Sequence, residues 1–594
     1  MEKYWSSAVM IRGSVYRIVA FVCMLFIVGS AAAHPVRLSK QERAWLLSSI
    51  KELDKNYDAK EKMLTKKLEG WNYHTDATSG NFHDTRASLW YAIKLLDYGG
   101  KQYTQRAIQI IDACLALQDT ASRSGTRGVW PYFKEEPLAT KKAPVDYNWA
   151  DFNAVSLLDI WIEHNDVLPQ PLQAKMKRAM ILAAQSIQRR NVGPSYTNIA
   201  IMGTYVTYVV SRLFDEQGMQ QYADKRLKTF YDYTISRGGF EEYNSPTYTI
   251  VALDELNRMQ RHIKEPSALA MIDSLYAMSW TMIARHYHQP TGQWVGPHSR
   301  AYSPVVDANF SSTLHEASGG KVGTLSKSYT GDFKMTHKIP SYLLPYFLMP
   351  NYPRTESDVF VTSTPQVKGT AYMTSKYAVA TANRASLWNQ RHPLLMYWGN
   401  EKSTGYCQLK FLHDFYDFSS ASFYSAQDKN KVLAGINFIT NGGDKHISID
   451  RLRNGVFKAK DLRLRFEFDG GQPFGNLQLP TAVLDAFHFS AGELSFYIQP
   501  YVLEFGDLKG NWETGTDGKH KWIDFVIYSG SEKEFNLSQM SNAALGFAMM
   551  VDERLEQTQE KVTVTKNSTD SLELKWENLQ LQLLTRPTTQ PPNL

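Results

Sequence analysis

The sequence predicts an α+β multidomain protein, with an N-terminal α/α toroid followed by a C-terminal antiparallel β-sandwich. From about Ser39 to His288, apolar residues recur at helical spacing in segments of ordinary helix length. Pro340, Pro345, Pro350 and Pro353 then interrupt the pattern, and beyond them the period becomes that of strands. The 594 residues are too many for one ordinary domain. The expected division is residues 1–33 as a removed leader, 34–350 as the toroid and 351–594 as the sandwich.

In the first part, Ala87–Leu96, Gln105–Leu117, Phe152–His164, Leu172–Gln188 and Leu269–His288 read as helices. Turns at Tyr98-Gly99-Gly100 and Asn191-Val192-Gly193-Pro194 separate some of them. Successive helices with short connections suggest stacked antiparallel hairpins. A toroid is one closed or nearly closed way to arrange these, with loops converging at one end. A helical repeat array is the alternative, but no fixed-period motif is visible. In the second part, Tyr377–Thr381, Lys431–Thr440, Leu462–Phe468, Leu494–Phe505, Trp522–Ser529 and Lys561–Thr565 read as strands. Many strands without long helices between them favour an antiparallel sandwich.

The N-terminus has the pattern of a secretory signal. Lys3, Arg12 and Arg17 precede a short apolar run from Ile18 to Gly29, and Ala31-Ala32-Ala33 offers a cleavage site before His34. The run is short for a membrane span, and Val22 before Cys23 argues against lipid attachment. Export to the periplasm or the medium is expected, without a membrane anchor and without a nucleic-acid partner. Loss of residues 1–33 lowers the formal charge from +6 to about +4, which is compatible with an anionic substrate. Cys114 and Cys407 lie too far apart to read as a disulfide framework. No Cys/His cluster has zinc spacing and no acidic loop has EF-hand spacing, so neither metal nor cofactor is expected.

Four segments of the helical part carry reactive side chains. Arg237 to Tyr248 (Arg-Gly-Gly-Phe-Glu-Glu-Tyr-Asn-Ser-Pro-Thr-Tyr) has two glycines and a proline, which shape a loop rather than a helix interior. Tyr196-Thr197-Asn198 opens a helix, Gly296 to Tyr302 follows the last long helix, and Asp146 to Asp151 starts another. Glu242 followed by Ser245-Pro246-Thr247-Tyr248 resembles the Glu-x-x-Ser-Pro-x-Tyr segment of heparinase II/III-type polysaccharide lyases. Asn198 at a helix start resembles their substrate-carboxylate asparagine, and toroid followed by sandwich is also the domain order of that group and of related alginate lyases. The sequence departs from the family at Ile199, where a His usually follows the asparagine. The family's sandwich histidine has His413 as its candidate here.

The resemblance implies β-elimination on a uronic-acid-containing polysaccharide, and these residue types suit that chemistry. Neutralising the uronate carboxylate stabilises an enolate-like transition state, a base removes the C5 proton, and an acid protonates the departing oxygen. Tyr248 is read as acid and as a possible base, its pKa lowered by Arg237 or Arg300. Asn198 faces the carboxylate, His298 is the alternative base, Arg300 pairs with the carboxylate bidentately and Tyr302 assists. Arg237, Glu242, Tyr243, Asn244, Asn148 and Trp149 are the expected substrate-binding residues, Trp149 by stacking on a sugar ring.

Two rival readings stand beside this one. Asp146 and Asp151 suit a toroid glycoside hydrolase using paired carboxylates. A glycan-binding protein without activity would keep the aromatic cleft and tolerate loss of Tyr248 and His298. Asn383-Arg384 and Trp388-Asn389-Gln390-Arg391-His392 form a polar and aromatic cluster between strands, read as an interdomain contact that can also reach over the cleft.

Overall fold

Among the described residues, nine helices of 14 residues or more build the N-terminal part. They are α1 (Lys40–Asp54), α2 (Thr85–Tyr98), α3 (Lys101–Leu115), α4 (Asn148–His164), α5 (Gln170–Arg190), α6 (Thr197–Leu213), α7 (Gln217–Arg237), α8 (Tyr248–His262) and α9 (Pro266–His286). The computed structural model describes residues 38–594 except 71, 73, 327–333, 445, 447–448, 450–451, 470, 472–473, 556–561, 569 and 594. The signal segment and residue 561 of the last expected strand lie outside the described residues.

Local chemistry sets the helix ends. Ser39 and Glu42 form a reciprocal capping box at α1, and Asp84 accepts from the Ala87 N–H at α2. Asn191 and Gly238, at φ 45° and 76°, close α5 and α7 in the left-handed conformation. The chain then folds back, so α2–α3, α4–α5, α6–α7 and α8–α9 pack as hairpins. Contacts also run α2 to α4 to α6 to α8, which makes these four an inner layer, while α3, α5, α7 and α9 lie outside. Because each hairpin reverses direction, the inner helices are parallel and begin at one end, at Thr85, Asn148, Thr197 and Tyr248. That end therefore gathers four positive helix termini. Among the described residues, two small sheets depart from the all-helical expectation, one of them the pair Tyr287–His288 and Gln293–Trp294 directly after α9. Tyr57–Asp58, Met63–Glu69 and Ser79–His83 form a three-stranded antiparallel sheet beside α2.

From Arg354 onward the chain is antiparallel sheet, as the period-2 pattern predicted. A nine-stranded sheet runs in the order Asn511–Thr516, His520–Asn536, Val456–Asp469, Ser403–His413, Leu394–Asn400, Tyr377–Ala382, Val367–Met373 and Arg354–Val361, with Tyr416–Asp417 paired off Ser403–His413. A seven-stranded sheet, which includes Leu494–Phe505, Ala543–Asp552 and Lys431–Phe438, packs against it. Phe411, Leu464, Phe466 and Phe525 of the first meet Ile436, Phe496, Ile498 and Phe547 of the second in a shared apolar core. A third layer, the three strands Thr563–Ser568, Ser571–Trp576 and Leu579–Leu584, covers the other face of the seven-stranded sheet through Trp576, Leu581 and Leu583.

The outer face of the nine-stranded sheet positions the functional end. Ala371, Ala378, Ala380, Leu395 and Tyr397 form a small apolar cluster with Val295, which lies in the connection after α9. Tyr243 stacks on Phe360 with ring centroids 4.5 Å apart, and His286 bonds Asp358 at 2.9 Å. His298 and His392 exchange backbone hydrogen bonds as an isolated antiparallel bridge. Helical part and sandwich thus share one ladder at the segment that carries Arg300.

Candidate active site

The Arg237–Tyr248 loop owes its shape to a few contacts. Gly238 ends α7, and Asn244 turns the chain at φ 41°. The Asn244 amide donates to the carbonyls of Val295 and Pro297, both at 3.0 Å, and accepts from the Trp294 indole N–H. Ser245 Oγ donates to the Arg300 carbonyl and accepts the Tyr248 N–H at 3.0 Å. Ser-Pro-Thr-Tyr therefore launches α8 with the Tyr248 ring at its first turn, beside the segment from Gly296 to Tyr302.

Arg300 is the hub. Its Nη2 donates to the Tyr248 hydroxyl at 2.8 Å, its Nε to Gln390 Oε1 at 2.8 Å and its Nη1 to Glu242 Oε1 at 3.4 Å. The guanidinium lies 4.6 Å from the Tyr248 ring centroid and 5.4 Å from that of Trp388. Tyr302, 67% exposed, places its hydroxyl 3.0 Å from that of Tyr248. Glu242 is buried; burial raises its pKa, while Arg300 and then Thr197 at the start of α6 pull it down. This ties the α6 N-terminus, and with it Asn198, to the Tyr248–Arg300 pair.

The side-chain oxygen of Asn198 and the indole N–H of Trp388 are buried and have no hydrogen-bond partner among the described residues.

Several expected roles change in the structure. The Tyr248 pKa is raised, not lowered: burial dominates, and Tyr302 and Glu242 add to it against the pull of Arg300. The phenol is thus a proton donor at neutral pH and a poor resting base. His298 is 1% exposed and donates Nδ1–H to the Asn244 carbonyl at 2.7 Å. Burial, with His392 nearby, pushes its pKa down to about 3, which suits a structural strut and not a base. Arg237 pairs with Glu241 at 2.9 Å and does not reach Tyr248. Arg300 commits three of its five N–H donors to Tyr248, Gln390 and Glu242, so it is a held cation and not the free side chain expected.

Of the expected binding residues, Trp149 is 4% exposed and wedged among His74, Tyr132 and Phe152, so its ring offers no stacking face. Asn148 accepts from Arg190 at 2.6 Å, and Tyr243 and Asn244 are buried in internal contacts. Asp146 is held by His74 at 2.8 Å. Asp151 is 2% exposed, its pKa pushed up to about 7 by burial against the pull of Arg190 and Arg226. Neither carboxyl stands in an open cleft as paired-carboxylate hydrolysis requires.

Of the two sandwich histidines, His446 and not His413 packs against Trp388, the ring that lies beside Arg300. His413 bonds the Lys458 carbonyl at 2.8 Å and packs on Phe418 and Phe457. The His446 ring lies 5.1 Å from that of Trp388. Burial and then the Arg300 charge lower its pKa, leaving a neutral imidazole near the hub. Sequence reading missed it because it sits far from every motif, in the connection following Lys431–Phe438.

The fold and the cluster define a two-part protein with a Tyr–Arg–Glu centre between a helical toroid arc and a β-sandwich. A domain family described as a domain of unknown function (DUF8769) matches residues 44–338. Among solved structures, the chain is similar to heparinase III, with 10% identity, 93% of this chain and 92% of that one covered, and a TM-score of 0.49. It is also similar to a heparan sulfate lyase from Pedobacter heparinus (8% identity, 93% and 90% covered, TM-score 0.36). A chondroitin AC lyase from Streptomyces coelicolor is a third (9%, 91% and 84%, TM-score 0.43). No curated protein matches the sequence. Among the described residues, no helix is long and apolar enough to cross a membrane.

Proposed function

We propose that the protein is an exported polysaccharide lyase that cleaves a uronic-acid-containing chain by β-elimination. The observation that carries this reading is the Arg300–Tyr248 hydrogen bond at 2.8 Å. A protonated phenol next to a fixed cation is an acid whose conjugate base is stabilised as it forms.

In this reading the uronate carboxylate sits against Asn198 at the α6 N-terminus. The Asn198 amide and the helix dipole meet the charge that builds on the carboxylate as C5 loses its proton. His446, neutral, takes that proton. The C5 electron pair forms the C4–C5 double bond, the C4–O bond breaks, and Tyr248 delivers its hydroxyl proton to the departing oxygen. Arg300 steadies the resulting phenolate, Glu242 and Gln390 hold Arg300, and Tyr302 returns a proton from solvent.

Elimination conjugates the new double bond with the carboxylate, so ultraviolet absorbance rises as chains shorten. Alginate, glucuronan and glycosaminoglycans form the test panel. Reducing ends without absorbance would mean hydrolysis, and binding without cleavage would mean a glycan-binding protein. Tyr248→Phe should lose about 10²- to 10⁴-fold in kcat on the accepted polymer. Near-full activity in that variant rejects the mechanism.

A further inference from the structure

We propose that Phe415 and Tyr416, at the tip of a sandwich hairpin, form an aromatic subsite for a pyranose ring of the polymer, on the sandwich side of the Arg300 centre. The proposal rests on the polysaccharide reading above and extends it to where the chain runs beyond the reacting sugar.

Ser403–His413 and Tyr416–Asp417 pair antiparallel, with His413 opposite Tyr416, so only Asp414 and Phe415 make the turn. Both have positive φ, 48° and 65°. Two-residue hairpins of this kind favour Asn-Gly or Asp-Gly, because glycine takes the second position without strain. A bulky aromatic there is a strained backbone outlier. The turn is nonetheless pinned: Asp414 Oδ1 accepts from the N–H groups of Lys460 at 2.7 Å and Asp461 at 2.8 Å.

That strained position displays the ring. Phe415 is 67% exposed and Tyr416 44%. The Arg463 guanidinium stands 4.9 Å from the Phe415 ring centroid, and Arg463 is itself held by Asp461 and by Asp524 at 2.8 Å. Phe415 is thus backed by a fixed cation while much of its surface faces solvent. The two carboxylates neutralise that cation locally, so the platform offers aromatic surface and not a charge trap. Aromatic faces of this kind suit the apolar C–H face of a sugar, and the Tyr416 hydroxyl suits its rim.

Continuity with the reacting centre fixes the occupant. Asn389 Nδ2 donates to the Tyr416 hydroxyl at 3.3 Å, its neighbour Gln390 accepts from Arg300, and Trp388 packs against the same guanidinium. A polymer passing over Tyr248 toward the sandwich meets this platform next.

The test compares the wild type with Phe415→Gly and Tyr416→Ala. Glycine relieves the strained turn, so Phe415→Gly should melt no lower than the wild type. On the polymer the wild type cleaves best, each variant should raise KM about three- to tenfold, the loss in kcat/KM falling on KM, with little salt dependence. On a short oligosaccharide that spans only the reacting sugars, the ratio to wild type should shrink. Polymer KM within twofold of wild type in a folded variant overturns the subsite. Size-exclusion showing a dimer that Phe415→Gly dissociates also overturns it, since the patch would then bind a second copy. Electrophoresis through gels containing each polymer of the panel separates this from failure of the lyase reading. Wild type and Tyr248→Phe should be retarded and Phe415→Gly less so, whether or not absorbance rises; a wild type retarded by none of the polymers overturns the subsite.

Discussion

Gln390 of the sandwich accepts a 2.8 Å hydrogen bond from Arg300 Nε, and Nη2 of the same guanidinium donates to the Tyr248 hydroxyl at 2.8 Å. One side chain from the β part therefore orients the cation that faces the helical part's tyrosine. The backbone reinforces this, because the Ala301 N–H donates to the Gln390 carbonyl at 2.7 Å. Gln390→Leu removes the side-chain acceptor and leaves that backbone contact.

The expected outcome for Gln390→Leu is a fall in kcat of about tenfold, one lost hydrogen bond to a charged group being worth 1.5–3 kcal/mol at most. A purely structural contact would lower the melting temperature and leave kcat near wild type. A positioning role lowers kcat with the melting temperature near wild type, and Gln390→Glu, which restores an acceptor for Arg300, recovers most of the rate. Near-full kcat with lowered stability would reject positioning.

Asn198 has a buried, unpaired side-chain oxygen at the start of α6. Asn198→Ala should cut kcat/KM about 10²- to 10³-fold, the scale for losing one preorganised polar group at a developing charge. Asn198→Asp should be worse than alanine, since a second carboxylate repels the uronate. Equal activity of the two variants would remove Asn198 from the carboxylate.

His446 should act as the base in its neutral form. Its pKa lies below the ordinary 6.5 because burial and Arg300 disfavour the imidazolium. Rate is therefore complete above that pKa and lost as pH falls through it. kcat/KM should stay level around pH 7 and drop on the acid side, and His446→Ala should abolish that acid limb together with about 10²-fold or more of the rate. An acid limb that survives the substitution assigns the base elsewhere.

Two glycines test the packing of the inner layer. A Cβ on Gly203 in α6 would stand 2.9 Å from Arg226 Nη2, Asp151 Oδ1 and Ile187 Cγ2, whereas one on Gly218 in α7 meets nothing within 4 Å. Gly203→Ala should destabilise by about 1–3 kcal/mol through overpacking. Gly218→Ala should stabilise by roughly 0.5–1 kcal/mol, because alanine costs less backbone entropy in a helix. Chemical denaturation reads both, and a stabilised Gly203→Ala would contradict the close approach of α4, α6 and α7.

Features that depend on neighbours along the chain were legible before any fold was known. Helical periodicity placed α2, α4 and α5 to within a few residues, and Gly99 and Asn191 marked where helices end. The change to period 2 after the prolines announced the sheets. Ser-Pro-Thr-Tyr pointed to Tyr248 because a proline-shaped loop opening a helix is a local pattern. Tertiary structure decided everything that depends on burial and on distant partners. It buried Trp149, His298 and Asn244, which polar or aromatic character alone had suggested for the cleft. It bound Arg237 to Glu241 and left Arg300 as the hub, a choice set by which carboxylate each guanidinium meets in space. It brought Gln390 from the sandwich to Arg300 and so to a tyrosine more than a hundred residues earlier, and it reversed the expected shift of the Tyr248 phenol. Side-chain type is written in the sequence, but protonation and access follow from the dielectric and the charges around each group.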